Sequence, residues 1–462
     1  MVPPFQVPDE AHHVAYTQSI VARGELPGDG PNRLSSEESA AFDAALKGNL
    51  LGNTFKKPQW SATADRRLRA IEGRLPGSNG GGPIAQGDNP PLYYLYEAVP
   101  YVAGGGASFL DRLHLMRLWS VLLLLATTTG GWLLAGEVFG RDRLLQLAAA
   151  VLTGLQPMVT FVSAGVNPDA GIFALWTVAF WLGARILRRG LTLRDGLALG
   201  LVAGFAVTEK ATSWALVPAV LLAFAIGFRR RDAAREPRPR RALVVALAGL
   251  ALPAGAWIAT AAALGRSVTN KAPHVAGVAS PSLTSLHSLR RFAGYVWQYY
   301  LPKLPFQDPF PGLTAGGSRF YTTWHETGWG AFGLLDVRLP DWTYSLLAIV
   351  SAVVILGGVA ALLRARRARR ADPALVGFLL LAAIALMFTL HWVDYTFLTL
   401  ENHAVEQGRY VLPLVSLGGL ALAGSVSLLP RRARAPAVAL FLGGLVALQL
   451  GSLGVTLERF YA

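Results

Sequence analysis

Long apolar runs alternate with short polar loops along most of this chain, and most of the runs approach the length of a bilayer crossing. They lie at 116–135, 144–162, 170–187, 196–209, 213–228, 242–264, 343–363, 374–392, 409–429 and 437–457. About 20 helical residues cross a hydrocarbon core, so the pattern predicts about ten transmembrane helices. The runs at 196–209 and 213–228 fall short of that length and read as broken or partly buried helices. Two long stretches lack such runs and carry Gly/Pro turns with short amphipathic pieces. They divide the chain into a first external loop (1–115), membrane helices (116–264), a second large external loop (265–342) and C-terminal membrane helices (343–462). The expected fold is an all-α polytopic membrane protein with two large external loops.

Composition agrees with this reading. Hydrophobic residues make up 53% of 462 positions, charged residues 15%, and mean hydropathy is +0.40, whereas soluble domains carry about a quarter charged residues. The absence of cysteine excludes disulfides and thiolate metal sites. The net charge of +14 raises the question of nucleic acid, and its distribution answers it. With 1–115 placed outside, the loops at 136–143, 185–195, 229–241, 364–372 and 430–436 hold 2, 4, 7, 5 and 3 Lys/Arg, half of the chain's 42, while the outside connection 163–169 holds none. Basic residues in short loops keep those loops cytoplasmic, so the charge sets orientation and calls for a lipid bilayer, with no nucleic acid. A 115-residue outside segment also needs a signal or helix ahead of it for translocation. The sequence therefore leads us to expect one further helix before Met1, an eleventh.

The residues able to carry chemistry gather in the segments assigned to the outside. Asp9 and Glu10 follow a Pro-rich turn and precede His12 and His13. Adjacent carboxylates raise one another's pKa or recruit a cation, which suits a general base or a divalent-ion site; the same acids would equally well open an amphipathic helix. Asp169 sits in Ser163-Ala-Gly-Val-Asn-Pro-Asp-Ala170, which also reads as a helix start. Lys210, in Thr208-Glu-Lys-Ala-Thr212, interrupts an apolar stretch, where charge is costly and usually functional. Arg409 and Tyr410 open a helix from the outside, against the inward preference of basic residues, and an interfacial anchor is the alternative. Trp324, His325 and Glu326 begin an aromatic stretch that is as well suited to an interfacial belt as to binding, and Tyr93 after Asn89-Pro-Pro91 reads similarly. No phosphate loop, HExxH motif or nucleophile elbow occurs.

Six motifs in order, PPFQVPDEAHH (3–13), NPPLYYL (89–95), SAGVNPDA (163–170), FAVTEKAT (205–212), WGAFGLLD (329–336) with LPDW after it, and EQGRYVLP (406–413), resemble a family of predicted bacterial membrane proteins of unknown function. That family is placed in the GT-C superfamily with the protein O-mannosyltransferases and the lipid A aminoarabinose transferase. The resemblance covers nearly the whole chain and implies a GT-C-like fold in the bacterial cytoplasmic membrane with an extracytoplasmic active site. It implies a glycosyltransferase that moves a sugar from a polyprenyl-phosphate donor to an envelope glycan, lipid or protein. Asp9 matches the position of the base, and Lys210 matches a lysine that contacts the donor phosphate. Arg409 is expected to join Lys210 on that phosphate. Glu10 and Asp169 would tune Asp9 or hold a divalent cation with it. His12, His13, Tyr93, Tyr410, Trp324, His325 and Glu326 are the remaining candidates for substrate contact. The competing classes are a transporter or flippase of lipid-linked envelope precursors and a non-catalytic membrane scaffold.

Overall fold

A computed structural model describes residues 3–28, 33–45, 61–71, 75–80, 84, 86–230, 236–268, 281–310, 313, 319–402 and 404–461, so 1–115, 229–241 and 265–342 are described in part. The protein is an all-α polytopic membrane protein. All ten apolar segments coincide with helical elements. Eight are long and apolar enough to cross a membrane: Phe109–Phe139, Asp169–Arg189, Ala211–Arg229, Pro239–Ala263, Asp341–Arg367, Pro373–Glu401, Gly408–Leu428 and Arg431–Tyr461. Arg143–Leu155 and Pro157–Ser163 pass the same test only when taken together, and they are bent by 57° at the break between them. Pro157 cannot supply an amide to the helix before it, and the Gln156 side chain caps the second half by accepting from Val159 N at 2.8 Å.

The tenth segment forms Leu193–Val207, only 15 residues long. It packs closely on Pro239–Ala263 through small residues: a Cβ on Gly200 would stand 2.3 Å from Ala246 O. Small side chains of this kind let backbones approach in a bilayer, where dispersion and not the hydrophobic effect drives helix pairing. Larger side chains fill the middle of the bundle, where Trp176, Phe180 and Phe378 meet edge to face.

The basic loops gather at one end of the bundle. Here Asp142, Thr192 and Asp372 cap the helices that start from it, each accepting a backbone N–H of the first turn. Ion pairs tie the loops together, Arg230 with Asp372 and Arg189 with Glu137, while Arg185 and Asp195 at 2.9 Å close one loop on itself. The opposite end carries the two long segments. In the first, Glu10–Arg23 lies against Leu92–Ala103, with the Tyr16 and Tyr94 rings stacked at 3.7 Å. In the second, Leu286–Tyr300 opens with a capping box of Ser285 and Ser288 and packs its aromatic face on Pro373–Glu401. A two-stranded antiparallel ribbon, Ala331–Phe332 with Val337–Arg338, follows it.

Candidate active site

The residues before the first helix are folded into a loop that is held from several sides. Phe5 and Asp9 adopt left-handed backbone angles, φ 65° and 60°, a conformation that non-glycine residues keep only when their surroundings fix it. Glu10 does much of the fixing. Its carboxylate is 0% exposed and accepts from Phe5 N at 2.9 Å, Val166 N at 3.1 Å, Arg117 Nε at 2.8 Å and Arg117 Nη2 at 2.6 Å. From the other side, Asn167 Nδ2 donates to Pro8 O at 2.9 Å, while its Oδ1 accepts from Asp169 N at 2.9 Å. The helix starts at Asp169, directly after the turn that Asn167 closes. Gly165 admits the loop, since a Cβ there would meet Val7 at 2.5 Å.

Held this way, Asp9 faces Arg409 across nearly the whole length of the chain. Arg409 Nη2 donates to Asp9 Oδ2 at 3.0 Å, and its Nε lies 3.6 Å from Asp169 Oδ2. Lys210 pairs with the other oxygen of Asp169. Two carboxylates and two cations thus alternate in the order Asp9, Arg409, Asp169, Lys210. The Tyr410 ring supports both cations, with Lys210 Nζ 4.8 Å and the Arg409 guanidinium carbon 5.2 Å from its centroid. The Arg409 side chain is only 4% exposed while that of Asp9 is 37% exposed, so the cluster opens on its Asp9 side. Arg409 Nε and Nη1 are buried without a hydrogen bond, which leaves donor capacity aimed at the cluster.

Electrostatics follow from the packing. Burial raises the Asp9 pKa, but Arg409, through its charge and its hydrogen bond, outweighs it, and the carboxyl lies below its ordinary value. Burial pushes His13 down to about 3 and lowers His12 as well, so both imidazoles are neutral at physiological pH. His13 Nδ1 shares a hydrogen bond with Tyr94 OH at 3.0 Å. Next to Lys210, Glu209 is held well above the carboxylate range by burial and by Asp169 and Glu97.

Among the sequence candidates, Asp9, Asp169, Lys210, Arg409 and Tyr410 come together, with His12 and His13 beside them. Three others lie apart. Tyr93 is buried with its hydroxyl on Ser120 at 3.1 Å. His325 Nε2 contacts Tyr344 O at 2.8 Å, and Glu326 pairs with Arg338. This stretch acts on the site from behind: Thr327 Oγ1 accepts from Gly408 N at 2.7 Å, and a Cβ on Gly408 would stand 2.2 Å from Gly328 N. Glu10 needs the clearest correction. Its oxygens are turned to Arg117 and the loop amides, so Asp9, Glu10 and Asp169 do not form a cation site. Among the described residues no group of three His, Cys, Asp or Glu is placed to hold a metal ion.

A second polar cluster, reached through the same 404–410 segment, contains Trp324 and residues absent from the sequence candidates. Tyr295 OH donates to Asp394 Oδ2 at 2.8 Å, and Val405 N to Asp394 Oδ1 at 3.0 Å. Tyr300 OH meets His391 Nε2 at 2.7 Å, and His391 Nδ1 lies 3.5 Å from Glu406 Oε1. The Trp324 ring stands 6.0 Å from that of His391. Burial, reinforced by Asp394, lifts Glu406 to about 8. The available signal was His391 and Asp394 at the end of an apolar run, where ionisable groups are expensive.

The sequence matches the family described as "Predicted membrane protein (DUF2142)" over residues 1–417. The chain belongs to that family. No curated protein matches it. Solved structures with a similar arrangement include ArnT from Cupriavidus metallidurans in the apo state (13% identity, TM-score 0.43, 92% of this chain and 60% of that one). The same protein bound to undecaprenyl phosphate gives 14% identity and TM-score 0.44, over 93% and 58% of the two chains. The archaeal oligosaccharyltransferase AglB from Archaeoglobus fulgidus, in complex with an inhibitory peptide and a dolichol-phosphate, gives 12% and 0.49, over 99% and 52%. The chain thus spans between half and three-fifths of the length of these structures.

Proposed function

We propose that this protein is a membrane glycosyltransferase that takes its sugar from a polyprenyl-phosphate donor and passes it to a hydroxyl-bearing envelope acceptor. The observation that carries this reading is the alternating cluster of Asp9, Arg409, Asp169 and Lys210 at the end of the bundle away from the basic loops. The positive-inside rule assigns the basic end to the cytoplasm, which puts the cluster at the outer membrane edge. A phosphate whose prenyl chain stays in lipid would arrive at that depth. The motif resemblance to GT-C enzymes supports the same assignment of Asp9 and Lys210.

The chemistry needs cations for the leaving phosphate and a base for the attacking hydroxyl. In the resting cluster each cation is neutralised by a carboxylate. A donor phosphate would compete for Lys210 and for Arg409, whose Nε and Nη1 make no hydrogen bond in the resting cluster, in the charge-assisted manner that favours guanidinium. Asp9 would then lose the partner that depresses its pKa and become a stronger base. The acceptor oxygen forms its bond to the anomeric carbon as its proton passes to Asp9. The bond from that carbon to the phosphate oxygen breaks, and polyprenyl phosphate departs with the electron pair, held by Lys210 and Arg409. Neutral His12 and His13 flank the base without adding positive charge.

The test is to incubate the full-length protein in lipid with a panel of polyprenyl-phosphate sugars and to follow release of polyprenyl phosphate. Release that depends on Asp9 supports the reading. Failure of every donor, with correctly inserted protein and a range of envelope acceptors present, would remove it.

A further inference from the structure

At the basic end of the bundle, a cavity of about 710 Å³ opens between the last turns of Phe109–Phe139 and Asp169–Arg189 and the first turn of Leu193–Val207. Its charged lining consists of five arginines, 141, 185, 188, 189 and 194, and two carboxylates, Glu137 and Asp195. The carboxylates are already spent. Arg185 pairs with Asp195 at 2.9 Å and Arg189 with Glu137. Arg188 turns its Nη1 to the main-chain oxygen of Glu137 in the last turn of its helix, the usual place for a cation. Both acids are therefore neutralised locally, and the charges of Arg141, Arg188 and Arg194 remain. Among the described residues neither Arg141 nor Arg194 has a carboxylate partner.

Orientation alone does not require this arrangement. The positive-inside rule needs basic residues in short loops, as at 364–370, and places no demand on their converging. Convergence on one cavity points to an anion. The size of the space and its position decide which. A single phosphate would leave most of 710 Å³ empty. The cavity lies at the ends of spanning helices, and Leu197, 39% exposed, lies one turn deeper than Arg194 on the same helix, continuing the rim toward the apolar part of the bundle. Guanidinium matches a phosphodiester by its fork of donors, and basic pockets between helices on the cytoplasmic side suit anionic lipid headgroups.

We propose that this cavity binds the headgroup of an anionic membrane phospholipid, and that Arg141 and Arg194 are the contacts the fold leaves free for it. The site is independent of the transferase reading, since it lies at the other end of the bundle from Asp9.

The experiment compares full-length protein in phosphatidylcholine nanodiscs with and without phosphatidylglycerol. Phosphatidylglycerol should raise the unfolding midpoint by about 3 °C, the shift expected for a 462-residue chain when the ligand is present at about a hundredfold over its Kd. The double variant Arg141→Gln, Arg194→Gln should lose that rise, whereas Arg366→Gln, Arg367→Gln, which removes the same charge from another basic loop, should keep it. Native mass spectrometry of phosphatidylglycerol retained after detergent extraction should show the same split, and it decides the matter if the first variant is itself less stable. Equal loss in both variants would mean general surface attraction and would overturn the site. So would an undiminished rise and undiminished retention in the first variant. An equal rise from inorganic phosphate in phosphatidylcholine alone would overturn the lipid as occupant.

Discussion

Arg409 shares one guanidinium between two carboxylates, with Nη2 3.0 Å from Asp9 and Nε 3.6 Å from Asp169. Lysine brings a single ammonium to the same place and cannot serve both directions. Arg409→Lys should therefore lower transfer about tenfold or more, the equivalent of one charge-assisted hydrogen bond. Steady-state kinetics on protein whose insertion has been checked would measure it. Wild-type rates in the lysine variant would mean that the shared geometry is not used.

Asp9 and Lys210 should separate kinetically. Asp9→Asn keeps the shape and removes the proton acceptor, so kcat should fall by about 100-fold or more with donor binding retained. Lys210→Ala removes the cation proposed to face the donor, so binding of the lipid phosphate should weaken along with the rate. Full activity in Asp9→Asn would remove the base from the scheme.

Glu10, one residue from Asp9, should behave differently from it. Its carboxylate is buried against the Arg117 guanidinium and two loop amides. Removing one member of a buried ion pair typically costs about 3–5 kcal/mol because the other charge is left uncompensated. Glu10→Ala should therefore appear first as a loss of thermal stability and yield, visible in a detergent unfolding assay without any substrate. Unchanged stability with lost activity would argue instead for a direct chemical role.

Stability should also depend on pH through Glu97. Burial lifts this group from 4.5 to about 8, against the opposing hydrogen bonds from Ser120 and Tyr93. A carboxylic acid whose folded pKa is raised contributes its full stability below the unfolded value and loses it as pH climbs through the folded one. The unfolding midpoint should fall between pH 4.5 and about 8, with a contribution from this group of up to about 1.4 kcal/mol per pH unit. Glu97→Gln should make that fall shallower. A midpoint profile identical in wild type and variant would contradict the assignment.

Sidedness can be checked directly because the chain has no cysteine. Ser78 and Ala368 are both exposed, one in the first long segment and one in a basic loop. An impermeant thiol reagent on intact cells should label Ser78→Cys and spare Ala368→Cys. The opposite result would invert the bundle.

Much of the fold was legible because a bilayer imposes length and charge rules on the sequence directly. The two short runs marked as irregular, 196–209 and 213–228, became a 15-residue helix and a 3-10 turn leading into a helix. The break between them falls at Glu209 and Lys210, whose ammonium turns to Asp169. The candidate site was half legible. Asp9 and Glu10 look alike as neighbouring acids, and only the fold tells them apart: Asp9 keeps a left-handed backbone ahead of the helix and Glu10 is its first residue, which sends one side chain to Arg409 and the other to Arg117. Likewise the aromatic stretch at 324–330 carries no spacing that reveals Thr327 and Gly328 bracing Gly408. His391 and Asp394 escaped selection because their partners, Tyr295, Tyr300 and Glu406, lie on other elements.

The pairing of Asp9 with a residue 400 positions later has a consequence for biogenesis. Chains emerge at about 5–20 residues per second, so Asp9 precedes Arg409 by about 20 to 80 seconds. Its loop can dock early, because Arg117 and Asn167 follow within the first two-fifths of synthesis. The guanidinium comes only when the Gly408–Leu428 helix enters the bilayer. Until then Asp9 lacks the guanidinium that holds its pKa down, and under the proposed function a ribosome-bound chain lacking its last two spans should not bind a phosphorylated lipid.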